Sequence, residues 1–121
     1  VTLVIPELEG KIDGMAYRVP AITGSVTDLT VKLESKASLE DVNEAYRQAS
    51  MSDDLHGILG YSDEPLVSVD YIGNSNSCTI DSLATSAVGA GFVKVVGWYD
   101  NEWGYSSRTA DLANFMVEKG I

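Results

Sequence analysis

The chain has 121 residues, 18 acidic side chains against 8 basic and a formal net charge of −10, with a single Cys and a single His. One Cys excludes an internal disulfide, and with one His it falls short of the N/S ligands of a typical zinc site. The negative field, offset by no Lys/Arg cluster, repels phosphate backbones and anionic lipids, and the longest charge-free run, Ser82 to Val93, is shorter than the roughly 20 apolar residues of a spanning helix; neither a nucleic acid nor a membrane is an expected partner.

Taken in order, Val1 to Leu8 is apolar with one Pro and is followed by Gly10, the pattern of a helix tail that begins upstream. With no initiating Met and no basic leader, the chain is expected to be a piece of a longer protein. Met15, Tyr17 and Val19 alternate with Ala16 and Arg18, which predicts a strand ending at Pro20 with Arg18 on its polar face. Val26 to Leu33 repeats the period, with Thr27, Leu29, Val31 and Leu33 on one face of a half-buried strand. Ser38 with Asp41 three residues on is an acidic capping box, and Leu39, Val42, Ala45, Tyr46 and Ala49 follow at helical spacing, predicting a helix from about 39 to 50. Leu66 to Tyr71 and the stretch from Cys78 onward are expected to be shorter strands, separated by the polar turn around Gly73 to Asn76. Phe92 to Tyr99, apolar on both faces apart from Lys94, predicts a central strand covered on each side. Thr109, Leu112, Ala113, Met116 and Val117 form the stripe of a last helix starting near Asn101 to Gly104. The expected class is α+β, a largely antiparallel mixed sheet with helices on one face.

Few residues suggest chemistry. Gly89-Ala90-Gly91 lacks the third glycine and the following helix of a dinucleotide fingerprint, so a hairpin turn is expected there. Cys78 needs a base to act as a nucleophile, and nothing in the sequence brings His56 to it; a buried small hydrophobe and a surface imidazole are the plainer readings. The segment Tyr99-Asp100-Asn101-Glu102-Trp103-Gly104-Tyr105 differs, because it gathers three aromatics, an amide and two acids between a buried strand and a helix. Asn101 suits a planar carboxamide ligand, whereas Asp100 and Asn101 could equally cap the helix while Trp98 and Trp103 fill the core. Physical chemistry alone leaves both readings open.

The stretches Val-Ile-Pro-Glu-Leu-Glu-Gly-Lys at 4–11, Asp-Gly-Met-Ala-Tyr-Arg-Val-Pro at 13–20, Asp-Leu-Thr-Val at 28–31, Gly-Ile-Leu-Gly-Tyr at 57–61 and Trp-Tyr-Asp-Asn-Glu-Trp-Gly-Tyr-Ser at 98–106 resemble, in register along the whole chain, the C-terminal half of the catalytic domain of glyceraldehyde-3-phosphate dehydrogenase. The resemblance implies that residues 1–121 are the C-terminal portion of that domain, with the dinucleotide-binding domain outside the chain. In that family a Cys thiolate attacks the substrate aldehyde, a His is the base, hydride passes to NAD and inorganic phosphate cleaves the thioester. Nucleophile and base belong to segments before Val1. Ser77-Cys78-Thr79 imitates the nucleophile segment but continues Ile80-Asp81 where Thr and Asn should stand, and is a decoy.

Three roles carry over. Arg18 matches the arginine that binds the sugar phosphate, Asn101 the residue that hydrogen-bonds the nicotinamide carboxamide, and Tyr105 the aromatic beside that ring; Glu102 supports the same loop. Implied with them are NAD as cofactor, with NADP left open, a sugar phosphate and inorganic phosphate as partners, a homotetramer and a cytoplasmic location. No catalytic residue and no metal ligand is expected in the chain itself, which should be inactive alone. The alternatives are a fragment of erythrose-4-phosphate dehydrogenase, or a non-catalytic module serving folding and assembly.

Overall fold

The computed structural model describes residues 1–89 and 91–121. A four-stranded sheet runs in the order β1-β4-β3-β2, with β1 (Ser25–Lys32) antiparallel to β4 (Phe92–Tyr99), β4 antiparallel to β3 (Cys78–Val88), and β2 (Leu59–Ser62) parallel to β3. Two helices, α1 (Leu39–Ser50) and α2 (Trp103–Lys119), complete the predicted α+β architecture. No helix is long and apolar enough to cross a membrane among the described residues.

Alternation divides the sheet into two unlike faces. On one, Ile80, Val93 and Val95 are buried and meet Val42 and Tyr46 of α1, Leu59 and Tyr61 of β2, and Cys78. Gly97 belongs to this face, and a methyl built there would fall inside the contact distance of Cys78 Sγ. The helix that covers this face starts as its sequence requires: Ser38 Oγ accepts from Asp41 N at 3.1 Å while Asp41 Oδ2 accepts from Ser38 N at 2.9 Å. On the opposite face the rings of Trp98 and Tyr71 stack at 5.8 Å with 9° between their planes, and Trp98 Nε1 donates to Asp81 Oδ2 at 3.0 Å. The other oxygen of Asp81 accepts from the backbone N–H groups of Leu83 and Ala84, both at 3.0 Å, where the β3–β4 register shifts. A carboxylate thus satisfies donors that a bulge takes out of the ladder.

Several expectations are corrected. Met15 to Val19 forms no strand; these residues are exposed, and among the described residues β1 pairs with β4 alone. Alternation supplies faces but not a partner for the backbone. Leu66 to Tyr71 is no strand either: Asp70 Oδ2 accepts from Val67 N at 2.8 Å and initiates a 3-10 turn at Ser68–Tyr71, a side-chain bond that competes with a ladder. The strand from Cys78 is long, not short, and β2 has too few residues to show a period. β1 is less covered than expected, with Leu29 exposed and only Val31 and Leu33 reaching the core cluster. The apolar stripe of α2 is exposed, Leu112 and Val117 included. The expected helix tail at the start is one turn, with Val1 O accepting from Val4 and Ile5, followed by a 3-10 turn at Pro6–Leu8. Of the predicted hairpin turn, Gly89 has the left-handed φ of +62° and Val88 pairs with Phe92, whereas Ala90 lies outside the described residues.

Candidate functional site

Where β4 ends, the chain turns through Asp100 and Asn101 into α2, and the structure separates the roles of these two neighbours. Asp100 is 4% exposed. Its carboxylate accepts from Glu102 N at 3.0 Å and Trp103 N at 2.9 Å, which caps the helix, and from Gly73 N at 2.9 Å and Thr23 Oγ1 at 3.4 Å, which ties in two distant loops. These donors, the Gly73 N–H foremost, hold its carboxyl below the usual carboxylate range. A depressed folded-state pKa contributes stability that is present above the unfolded value, near 3.8, and is lost as pH falls through the folded one. Asp100→Asn removes that titration. The stability difference between the two proteins, measured by urea unfolding, is therefore expected to shrink as the buffer is taken from neutral pH to below about pH 4; a constant difference would dismiss the carboxylate's role.

Asn101 does not cap. Its Oδ1 accepts from Gly24 N at 3.2 Å and Ser25 Oγ at 3.4 Å, at the start of β1. A backbone N–H can only donate, so the atom facing Gly24 is the carbonyl oxygen, and the Nδ2 amide keeps its donors for another partner. Tyr105, in the first turn of α2, is exposed, and so is Trp103, while Trp98 is half-buried against Tyr71. Gly104 is buried: a methyl there would lie 2.9 Å from Asn76 O, so only glycine lets the helix approach the loop before β3.

Asp100, Asn101, Gly104 and Tyr105 line an open hollow of about 260 Å³ together with Ser77, Tyr99 and Arg108. Arg18 does not line it. That side chain is exposed on the irregular segment before β1, so its predicted place on a strand face is corrected. A larger hollow of about 340 Å³ lies between β2 and the 3-10 turn, but it is lined by Asp63, Glu64 and Asp70 and by none of Arg18, Asn101 and Tyr105. A carboxylate lining of this kind disfavours phosphorylated ligands.

Cys78 and His56, weighed from the sequence as a nucleophile and its base, do not line the hollow. Cys78 packs in the core cluster, and burial pushes its thiol up, away from the thiolate. His56 is exposed in the turn that precedes β2. No cluster of His, Cys, Asp and Glu able to hold a metal ion occurs among the described residues.

Comparison with known proteins decides the family. The family model described as "Glyceraldehyde 3-phosphate dehydrogenase, C-terminal domain" matches residues 1–101. The chain belongs to this family. It is 53% identical over 121 residues to glyceraldehyde-3-phosphate dehydrogenase of Priestia megaterium and 52% identical to glyceraldehyde-3-phosphate dehydrogenase 1 of Bacillus subtilis, in each case over the whole chain and 36% of the relative. With the glyceraldehyde-3-phosphate dehydrogenase of Streptomyces coelicolor it shares 49% over 114 residues, 94% of the chain and 34% of that protein. The chain therefore spans about a third of the length of these relatives. As part of a glyceraldehyde 3-phosphate dehydrogenase C-terminal domain it belongs to an oxidoreductase family, and its mixed sheet with two helices is that domain's α+β architecture.

Sequence reasoning missed Arg108. Its Nε donates to Asp111 at 2.8 Å, and its Nη1 reaches Gly57 O and Ser77 Oγ, each at 3.2 Å. The spacing of Arg108 and Asp111 on a predicted helix was the available signal, but the two bonds across the fold leave no trace in a local pattern.

Proposed function

We propose that the chain supplies the substrate-phosphate and nicotinamide contacts of a phosphorylating, NAD-dependent glyceraldehyde-3-phosphate dehydrogenase of glycolysis, a cytoplasmic homotetramer whose thiolate and base lie outside these residues. The observation that carries this reading is the orientation of Asn101. With Oδ1 engaged by Gly24 and Ser25, the side chain presents amide donors at a hollow flanked by the exposed ring of Tyr105. That pair fits one planar carboxamide-bearing ring: donors for the amide oxygen, and an aromatic face for the ring. The bound dinucleotide supplies the hydride acceptor.

Arg18 acts on the other reactant. Its guanidinium fork suits a phosphate oxyanion. Thr23 and Gly24, five and six residues on, are bonded to Asp100 and Asn101, which holds the Arg18 backbone within roughly 20 Å of Asn101 at full chain extension. Substrate phosphate and nicotinamide contacts thus belong to one neighbourhood. Of the two sugar phosphates, glyceraldehyde 3-phosphate is favoured over erythrose 4-phosphate by the names of the relatives above.

The test compares the intact parent enzyme with the 121-residue chain, following formation of reduced nicotinamide with each aldehyde, NAD and inorganic phosphate. The parent is expected to oxidise glyceraldehyde 3-phosphate with the higher kcat/KM, and the chain alone to show no turnover. Preference for erythrose 4-phosphate would reassign the substrate. Turnover by the chain that survives repurification and disappears with Cys78→Ser would make Cys78 a nucleophile.

A further inference from the structure

We propose that Asp100 is a positioning residue for Asn101: its carboxylate fixes the turn at Thr23 and Gly24, whose backbone decides which way the Asn101 amide faces. The inference rests on the nicotinamide assignment of Asn101 made above. Orientation matters because the two ends of a primary amide do opposite things, Nδ2 donating and Oδ1 accepting. Of the two groups bonded to Oδ1, Ser25 Oγ can donate or accept and is indifferent to a reversal of the amide. Gly24 N, at 3.2 Å, can only donate, so this one N–H sets the orientation.

The Gly24 N–H stands beyond the end of the ladder. The last rung of β1 with β4 is Ser25 opposite Tyr99, and past it side chains join the two segments: Thr23 Oγ1 donates to Asp100 Oδ1 at 3.4 Å, and Gly24 N to Asn101. Gly24 has a φ of +91° and approaches the 3-10 turn so closely that a methyl on it would lie 3.4 Å from Ser68 O. The loop that follows this turn is held by the same carboxylate, with Gly73 N donating to Oδ2 at 2.9 Å. Asp100 therefore grips both segments that confine Gly24, one with each oxygen, while Oδ1 also caps α2. Every one of these bonds lies within the chain, and Asp100, already 4% exposed, is only covered further by the rest of an intact enzyme. Without that grip Gly24, which has no side chain to hold it, loses its fixed place. The Asn101 amide is then free to reverse and to turn its oxygen toward the ligand.

A reversed amide tells apart two dinucleotides that differ in one group. NAD can answer it by rotating its carboxamide half a turn about the bond to the ring, so that the NH2 group donates to Asn101 Oδ1. The 3-acetylpyridine analogue carries a methyl in place of that NH2 and has no donor to offer. The experiment measures, by titration calorimetry, the dissociation constants of both dinucleotides for the intact enzyme freed of bound cofactor. The ratio of analogue to NAD is expected to rise about tenfold in Asp100→Asn, where an NH2 group replaces one gripping oxygen, and about threefold in Thr23→Val, which keeps the side-chain shape but not the hydroxyl. Thr23→Ser, which keeps the hydroxyl, should retain the wild-type ratio. A merely structural loss weakens both dinucleotides alike and leaves the ratio where it was.

Asn101→Ala in the same enzyme separates the two failures. It removes a donor that both dinucleotides use, so both should bind more weakly by a similar factor. If it changes neither, the nicotinamide assignment is wrong and the positioning role falls with it. If it weakens both while normally folded Asp100→Asn and Thr23→Val keep the wild-type ratio, the positioning role of Asp100 is overturned and the assignment stands. Should Asp100→Asn fold poorly, as judged by urea unfolding, the Thr23 variants decide. A ratio raised in Thr23→Val but not in Thr23→Ser supports the proposal, and ratios that agree in the two variants overturn it.

Discussion

Arg18→Ala in the intact enzyme is expected to lower kcat/KM for glyceraldehyde 3-phosphate by roughly ten- to a hundredfold and to leave phosphate-free glyceraldehyde nearly untouched. The magnitude follows from the charge-assisted bonds a guanidinium makes to a phosphate, about 1.5 to 3 kcal/mol. Its selectivity follows from the exposure of Arg18, which no described strand or helix packs upon. Replacing it removes the proposed phosphate contact without opening the core. Asn101→Ala should behave differently, lowering turnover on both aldehydes, because its side chain lines the hollow proposed for the nicotinamide. Steady-state kinetics of the two variants on both substrates give a two-by-two comparison. A loss at Arg18 of equal size on each aldehyde, in a normally folded protein, would make Arg18 structural.

Trp98→Ala is expected to be the most destabilising single truncation of the sheet, costing about 3 to 5 kcal/mol. Two contacts are lost together. The indole is stacked on Tyr71, itself only 2% exposed, and donates to Asp81, whose other oxygen holds the β3 bulge. Trp98→Phe keeps an aromatic face for Tyr71 but leaves Asp81 Oδ2 without its donor, which should cost about 1 to 3 kcal/mol. Urea unfolding monitored by circular dichroism measures both. Equal losses in the two variants would place the whole effect on the hydrogen bond and none on the stack.

These expectations depend on how far the sequence could be read. Local signals sufficed for α1, whose Ser38–Asp41 capping box marks its start, and for β4, whose apolar residues on both faces match its central place. Met15 to Val19 shows the limit of such signals, because its alternation is real while no backbone among the described residues completes a ladder with it. Val67 to Tyr71 shows another: one bond from Val67 N to Asp70 outweighs the β-propensity of the residues around it. At the site, Asn101 and Tyr105 stood out through loop composition and family resemblance. Nothing in the sequence told Asp100 the cap from Asn101 the outward-facing amide, since that division is made by Gly73, Thr23 and Gly24, residues remote in the chain. Arg108 was hidden for the same reason.

The pairing of β1 with β4 also governs the order in which the molecule can assemble. Ser25 lies opposite Tyr99 and Lys32 opposite Phe92, so each rung of that ladder closes a loop from the first third of the chain to its last. Closure over such a separation gives up chain entropy before any contact repays it, whereas β3 and β4 are joined by a tight connection at Gly89 and can zip early. During synthesis β1 emerges well before β4, its partner strand among the described residues. Asp28 and Lys32, alternating with its apolar residues, interrupt the run that would otherwise invite pairing with another nascent chain. In the finished sheet Asp28 meets Lys94 of β4 at 2.7 Å, so the charge that guards the waiting strand is neutralised by the strand it waits for.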